Sequence, residues 1–150
     1  MKVLIAGDHA GWDLKSLVAE RARHMGHQVE DLGVSTPDAA DYPPLAHRLC
    51  FRLGAGEADF GILVCGTGIG MAITANRHPG IRAALCHDAF TAEGARRHND
   101  ANVLCLGGRT TGPGVALQIL EIFFSTPFDG GRHARRVQLI EDEGVHHDEK

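Results

Sequence analysis

Strand-like segments alternating with longer amphipathic stretches restrict this chain more than any other feature of its sequence. Val3–Ala6, Ile62–Cys65, Ala83–Cys86 and Val103–Leu106 are uninterrupted apolar runs. Such runs suit strands covered on both faces, as in a parallel sheet. Val29–Leu32 reads as a further, shorter strand. Between the first two strands, Leu14, Leu17, Val18, Ala22 and Met25 recur at helical spacing, and Gly26 follows as a stop. Residues 33–43 are irregular, and Pro44 is expected to open a helix through Leu45, Leu49 and Leu53. Further helices are expected from about Gly70, over 89–98, from Val115 to Phe124 before Pro127, and from Arg132 to Glu141.

This alternation predicts a doubly wound, three-layer α/β/α Rossmann-like domain with a five-stranded parallel sheet and right-handed crossovers. One such domain is expected over residues 1–143, with a polar tail over 144–150. Ligands bind such sheets outside the carboxyl ends of the strands. The loops at Gly7–Gly11, Cys65–Gly70, Cys86–Asp88 and Gly107–Thr111 are therefore expected to converge on one crevice. The helix from Val115 to Phe124 is more apolar than one sheet face requires. Val115, Ile119, Ile122 and Phe123 are candidates for a subunit interface or, equally, for burial within the chain.

Composition narrows the function classes. A formal net charge of −4 over 150 residues argues against a nucleic-acid surface. The apolar runs are too short to span a bilayer, and Met1 leads directly into a strand, so a cytoplasmic location and no membrane partner are expected. Cys50, Cys65, Cys86 and Cys105 lie far apart with no C-x-x-C pair, which reads as four reduced thiols. The ten histidines give no metal-ligand spacing, and His146 and His147 fall in the polar tail, so no metal is expected.

Four segments could carry chemistry. Cys65-Gly66-Thr67-Gly68-Ile69-Gly70 follows a strand and opens a helix. Its glycines let the backbone approach a ligand and aim N–H groups at an anion. A thiol at a helix start ionises more readily than a free one. The alternative is a tight turn with a buried cysteine. A dinucleotide fingerprint fits poorly, since its third glycine falls at Met71 and the nearest acid to the next strand end is Asp88. A phosphate loop ending in G-K-[ST] is absent. In Gly7–Gly11, Asp8 and His9 offer an acceptor and an imidazole at the crevice, although Asp8 could simply cap a helix. Arg96-Arg97-His98-Asn99-Asp100 and Gly130–Arg136 are basic, and Arg132 and Arg136 align at i and i+4. A fork of this kind suits a phosphate, although a solvated basic helix would look the same.

Taken in order, GDHAG (Gly7 to Gly11), DYP (Asp41 to Pro43), CGTGIG (Cys65 to Gly70), RHND-NVL (Arg97 to Leu104) and GGRH--R (Gly130 to Arg136) resemble the ribose-5-phosphate isomerase B family, which includes galactose- and allose-6-phosphate isomerases. The resemblance runs from Val3 to about Ile140. It implies a cofactor-free aldose–ketose isomerase interconverting ribose 5-phosphate and ribulose 5-phosphate through a cis-enediolate. By resemblance, Cys65 is the base and Thr67 moves a proton between the two oxygens. The amides of Gly66, Gly68, Ile69 and Gly70 hold the enediolate, and His98 opens the sugar ring. Asp8, Tyr42 and Asn99 hold hydroxyls, while His9, Arg132, His133 and Arg136 bind phosphate. A homodimer with shared sites, or a tetramer, is implied. Members that carry serine at the position of Cys65 place a glutamate base four residues on; here that residue is Ile69, which favours the thiolate route. His9 favours the ribose-phosphate branch over tetrose-phosphate relatives. A hexose 6-phosphate, a rare free sugar, or a non-catalytic phosphosugar-binding module remain the alternatives.

Overall fold

A computed structural model describes residues 1–142. Five strands, β1 (Lys2–Gly7), β2 (Gln28–Asp31), β3 (Phe60–Cys65), β4 (Ala83–Leu85) and β5 (Val103–Gly107), form one all-parallel sheet in the order β2-β1-β3-β5-β4. Six helices accompany them: α1 (Trp12–His24), α2 (Tyr42–Gly54), α3 (Ile69–Ala75), α4 (Ala89–Asn99), α5 (Pro113–Ser125) and α6 (Arg132–Glu141). Among the described residues, no helix is long and apolar enough to cross a membrane.

The four-residue apolar runs are strands because both of their faces are covered. Val3, Ile5, Ile62, Val64, Leu104 and Leu106 point into a core with α1, α4 and α5. Leu4, Ala6, Leu63, Cys65, Val103 and Cys105 point the other way, against α2 and α3. The alternation of side chains across a strand thus produces the two outer layers. Gly26, at φ 88°, ends α1 as expected. Helix α2 begins at Tyr42, two residues before the expected start, because Asp41 supplies the N-cap position and both Pro43 and Pro44 fit the first turn, where proline's missing N–H costs nothing.

Helix α5 decides between the two readings of its apolar face. Ile119 and Phe123 are fully buried in the first core and Ile122 packs against it, because α5 lies between α1 and α4. Its apolar excess is used within the chain, and only Val115 remains exposed. The large apolar side chains left in water elsewhere include Phe51 on α2, Ile69 and Ile73 on α3, Phe90 on α4, and Leu139 and Ile140 on α6.

The segment before α2 is held by a buried cation. Lys15 Nζ donates to Asp31 Oδ2 at 2.7 Å and to the Val34 carbonyl at 3.1 Å, with the Trp12 ring 4.8 Å away. A lysine 1% exposed is tolerated when it is paired and hydrogen-bonded in this way. Trp12 therefore packs against Lys15.

Candidate active site

The sheet order reverses direction between β1 and β3, and the crevice lies at their carboxyl ends, as doubly wound sheets require. An open cleft of about 470 Å³ there is lined by Asp8, His9, Ala10, Tyr42, Cys65, Gly66, Thr67, Ile69, Gly70, Ile73 and Arg109. Three of the four expected loops meet in it. The fourth, Cys86–Asp88, does not, because β4 is the edge strand beyond β5. Asp88 instead caps α4, accepting from the Thr91 amide at 2.7 Å while the Thr91 hydroxyl accepts from the Asp88 amide.

Cys65 is the last residue of β3 and 5% exposed, at the floor of the cleft. Its Sγ accepts the Gly68 amide at 3.2 Å. That contact stabilises sulfur most when it carries charge. Gly68 sits at φ 77°, and a Cβ there would lie 2.5 Å from Leu85 Cδ1 and 2.9 Å from the Leu106 carbonyl carbon. Only glycine can bring this amide under the sulfur. Helix α3 has only seven residues, so the local amides of the turn matter more than a long helix dipole. The turn is fastened to β5: Gly108 N–H donates to the Cys65 carbonyl at 2.8 Å, and Arg109 N–H to the Gly66 carbonyl at 2.9 Å.

The other three cysteines lie in the core. Burial pushes the Cys50 and Cys86 thiols up to about 12 and raises the Cys105 thiol well above its ordinary value. They are inert.

Asp8 fulfils both readings of it. Oδ1 accepts the Gly11 amide at 3.0 Å and caps a 3₁₀ turn over His9–Gly11, while the carboxylate borders the cleft. His9 Nδ1 accepts the Ala40 amide at 3.1 Å. In the neutral ring that bond puts the proton on Nε2, which becomes a donor suited to an anion. Tyr42, at the start of α2, stands over Gly70 so closely that a Cβ on that glycine would be 2.4 Å from Tyr42 Cζ. Arg109 was not singled out from the sequence, since one arginine in a glycine-rich loop carries no motif. Its position just past β5, on the edge that carries Cys65, is the signal that finds it.

His98, Asn99, Arg132, His133 and Arg136 lie elsewhere. Val103 pairs with Gly61 at the start of the sheet, and Gly107 pairs with Cys65 at its end. Helix α4 runs back along the sheet, so His98 and Asn99 end near the start of β5, about 13 Å of strand away from the Cys65 edge. His133 lies on His98, with ring centroids 4.4 Å apart and planes 15° apart. Arg132 and Arg136 are exposed beside it on α6. Burial lowers the His133 pKa, and His98, Arg132 and Arg136 lower it further, against an opposing pull from Asp129. Two anchors fix this ledge. Asp129 pairs with Arg97 at 3.2 Å and its amide donates to the Arg97 carbonyl at 3.0 Å. At the far end of α6, Glu141 pairs with Arg82 and accepts the Gly80 amide at 3.1 Å.

A family model described as Ribose/Galactose Isomerase matches residues 3–140. The chain belongs to the ribose/galactose isomerase family. Among relatives in this family, ribose-5-P isomerase B of Listeria innocua is 39% identical over 142 residues, covering 95% of this chain and 96% of its own length. Ribose-5-phosphate isomerase B of Escherichia coli K12 is 38% identical over 139 residues, covering 93% of each. The solved ribose-5-phosphate isomerase B of Clostridium thermocellum superposes with a TM-score of 0.92 at 42% identity, covering 94% of this chain and 95% of that one. The Thermotoga maritima enzyme gives 0.91 at 49%, covering 93% and 97%. This family fold accounts for the parallel sheet and the cleft at its switch point.

Proposed function

We propose that this chain is an aldose–ketose isomerase acting on ribose 5-phosphate and ribulose 5-phosphate, with Cys65 as the base. The observation that carries the reading is the Cys65 sulfur at the floor of an open cleft with the Gly68 amide donating to it. Cys65 takes the proton from C2 of the open-chain aldose, the electrons move onto O1, and a cis-enediolate forms. The amides of Gly66, Gly68, Ile69 and Gly70 are assigned to the charge that develops, those of Gly68 and Ile69 exchanging their present acceptors, Cys65 Sγ and Thr67 Oγ1, for the oxyanion. The Thr67 hydroxyl carries the proton between O1 and O2, and Cys65 returns its proton to C1. Asp8 and Tyr42 hold hydroxyls, and His9 with Arg109 supplies donors for the phosphate.

The remaining groups come from a second copy of the chain. His98 as the ring-opening acid, Asn99 on a hydroxyl, and Arg132, His133 and Arg136 on the phosphate belong to the opposite sheet edge, so a two-fold pair brings one chain's ledge to the other's cleft. Ile69, Ile73 and Phe90, the last 82% exposed, supply apolar surface for that pairing. A phosphate gripped from both chains contributes binding energy remote from the reacting carbon.

The test mixes two inactive variants, Cys65→Ala and His98→Ala, after unfolding and refolding together. Random pairing leaves one intact site in half of the dimers, so about one quarter of wild-type turnover returns. No recovery, with dimers formed, refutes the shared site. A Cys65→Ala protein that is active alone refutes the base. Comparing kcat/KM for pentose and hexose phosphates assigns the sugar, a preference of more than about tenfold for ribose 5-phosphate being expected.

A further inference from the structure

His98 is far in sequence from Asp129 and His133, yet the fold gathers one potential ligand atom from each of the three within 4.8 Å of the others. Two imidazoles and one carboxylate are the donor set of open zinc sites. We infer that His98, Asp129 and His133 form a capture site for a borderline-soft divalent cation such as Zn²⁺, and that filling it blocks the sugar phosphate. The inhibitory half rests on the proposed roles of His98 and His133; the binding half does not.

The fold already draws the groups together: the His98 and His133 rings stack with centroids 4.4 Å apart, and Asp129 lies just before α6, whose first turn carries His133. His98 is exposed, so its ring can turn to bring nitrogen to the ~2.0–2.1 Å that zinc requires. Asp129 must turn from Arg97, an exposed pair that is weakly held. Arg97 keeps a carboxylate partner when it does, because Glu93 Oε1 lies 3.0 Å from its Nη1. Opposing capture are Arg132 and Arg136, whose charge disfavours a dication and favours phosphate. Cation and sugar phosphate therefore exclude each other, through shared imidazoles and through opposite demands on the local field.

Binding is measured first, without substrate, by titrating Zn²⁺ into the Cys65→Ser protein, so that the thiol cannot serve as a ligand. One equivalent per chain is expected beyond whatever the same protein with His98→Ala and His133→Ala retains, and Co²⁺ at that site gives the intense visible absorption of low coordination. Equal stoichiometry and affinity in the two proteins overturn the site. Asp129→Asn keeps the fold's other anchor at Glu141 and serves as the second variant: it weakens Zn²⁺ by more than about tenfold. In the thiol-intact enzyme, Asp129→Asn retains turnover and needs more than about tenfold more Zn²⁺ for half inhibition. An unchanged inhibition curve there, with one equivalent bound, removes the inhibitory role and leaves the site.

Discussion

Gly70→Ala separates what the cleft needs from what the fold needs. A Cβ at Gly70 would lie 2.4 Å from Tyr42 Cζ and 2.6 Å from both Cε2 and Oη. Ordinary contact is about 3.5–4.0 Å, so Tyr42 must retreat by more than about 1 Å. It can, because its side chain is at the surface and 36% exposed. Gly70 is also inside α3, where alanine gains about 0.8–1.0 kcal/mol of helix propensity. Stability should therefore change by less than about 1 kcal/mol, a shift in Tm of no more than about 2–4 °C for a chain of this size. Activity is another matter. A displaced phenol loses one hydrogen bond to a sugar hydroxyl, worth about 0.5–1.5 kcal/mol. That corresponds to a fall of about 2- to 12-fold in kcat/KM. Tyr42→Phe should fall by the same factor, and the double variant should be no worse than either alone, since both remove one interaction. Additive losses, or unchanged kcat/KM in Gly70→Ala, would show that Tyr42 does not hold substrate from this position.

Gly68→Ala should behave in the opposite way: its Cβ meets the Leu106 backbone at φ 77°, nothing can retreat, and chemical denaturation should report a loss of about 1–3 kcal/mol. Brief treatment of the native protein with iodoacetamide should give one adduct by mass, at Cys65, because the other three thiols are buried and held protonated; a second adduct without unfolding would contradict the packing. Stability should decline as pH falls below about 6.5, because burial lowers the pKa of His27 and, together with contact with His47, that of His78. The unfolded chain binds more protons in that window, so the contribution is complete above the unfolded value and lost as pH drops through the folded one. His78→Gln should flatten the slope of denaturation midpoint against pH, and an unchanged slope would remove His78 as a cause.

Much of the fold was legible because two-sided burial leaves an unmistakable trace: the runs at Val3, Ile62 and Val103 have no polar position to offer solvent. Side-by-side placement was not legible. Strand β4 pairs with β5 at the edge, which withdraws the Cys86–Asp88 loop from the crevice, and nothing local to that loop encodes it. For Ile119 and Phe123, interface and internal burial stay equally open until α1 and α4 are known to flank α5. The cleft was legible through the glycine spacing around Cys65 and the loop rule for doubly wound sheets, whereas Arg109 needed the register of β5. The stacking of His98 on His133 joins two motifs that the sequence keeps apart, and only helix packing reveals it.

Strand β5 also acts as a fixed ruler. It holds the thiol edge and the basic ledge of one chain at a constant separation, so neither can be moved toward the other from within. In the proposed two-fold pair, the span across the pocket would then be set by how the two copies lean together. A change in that tilt would accommodate a sugar with one more carbon while both half-sites kept every residue they have.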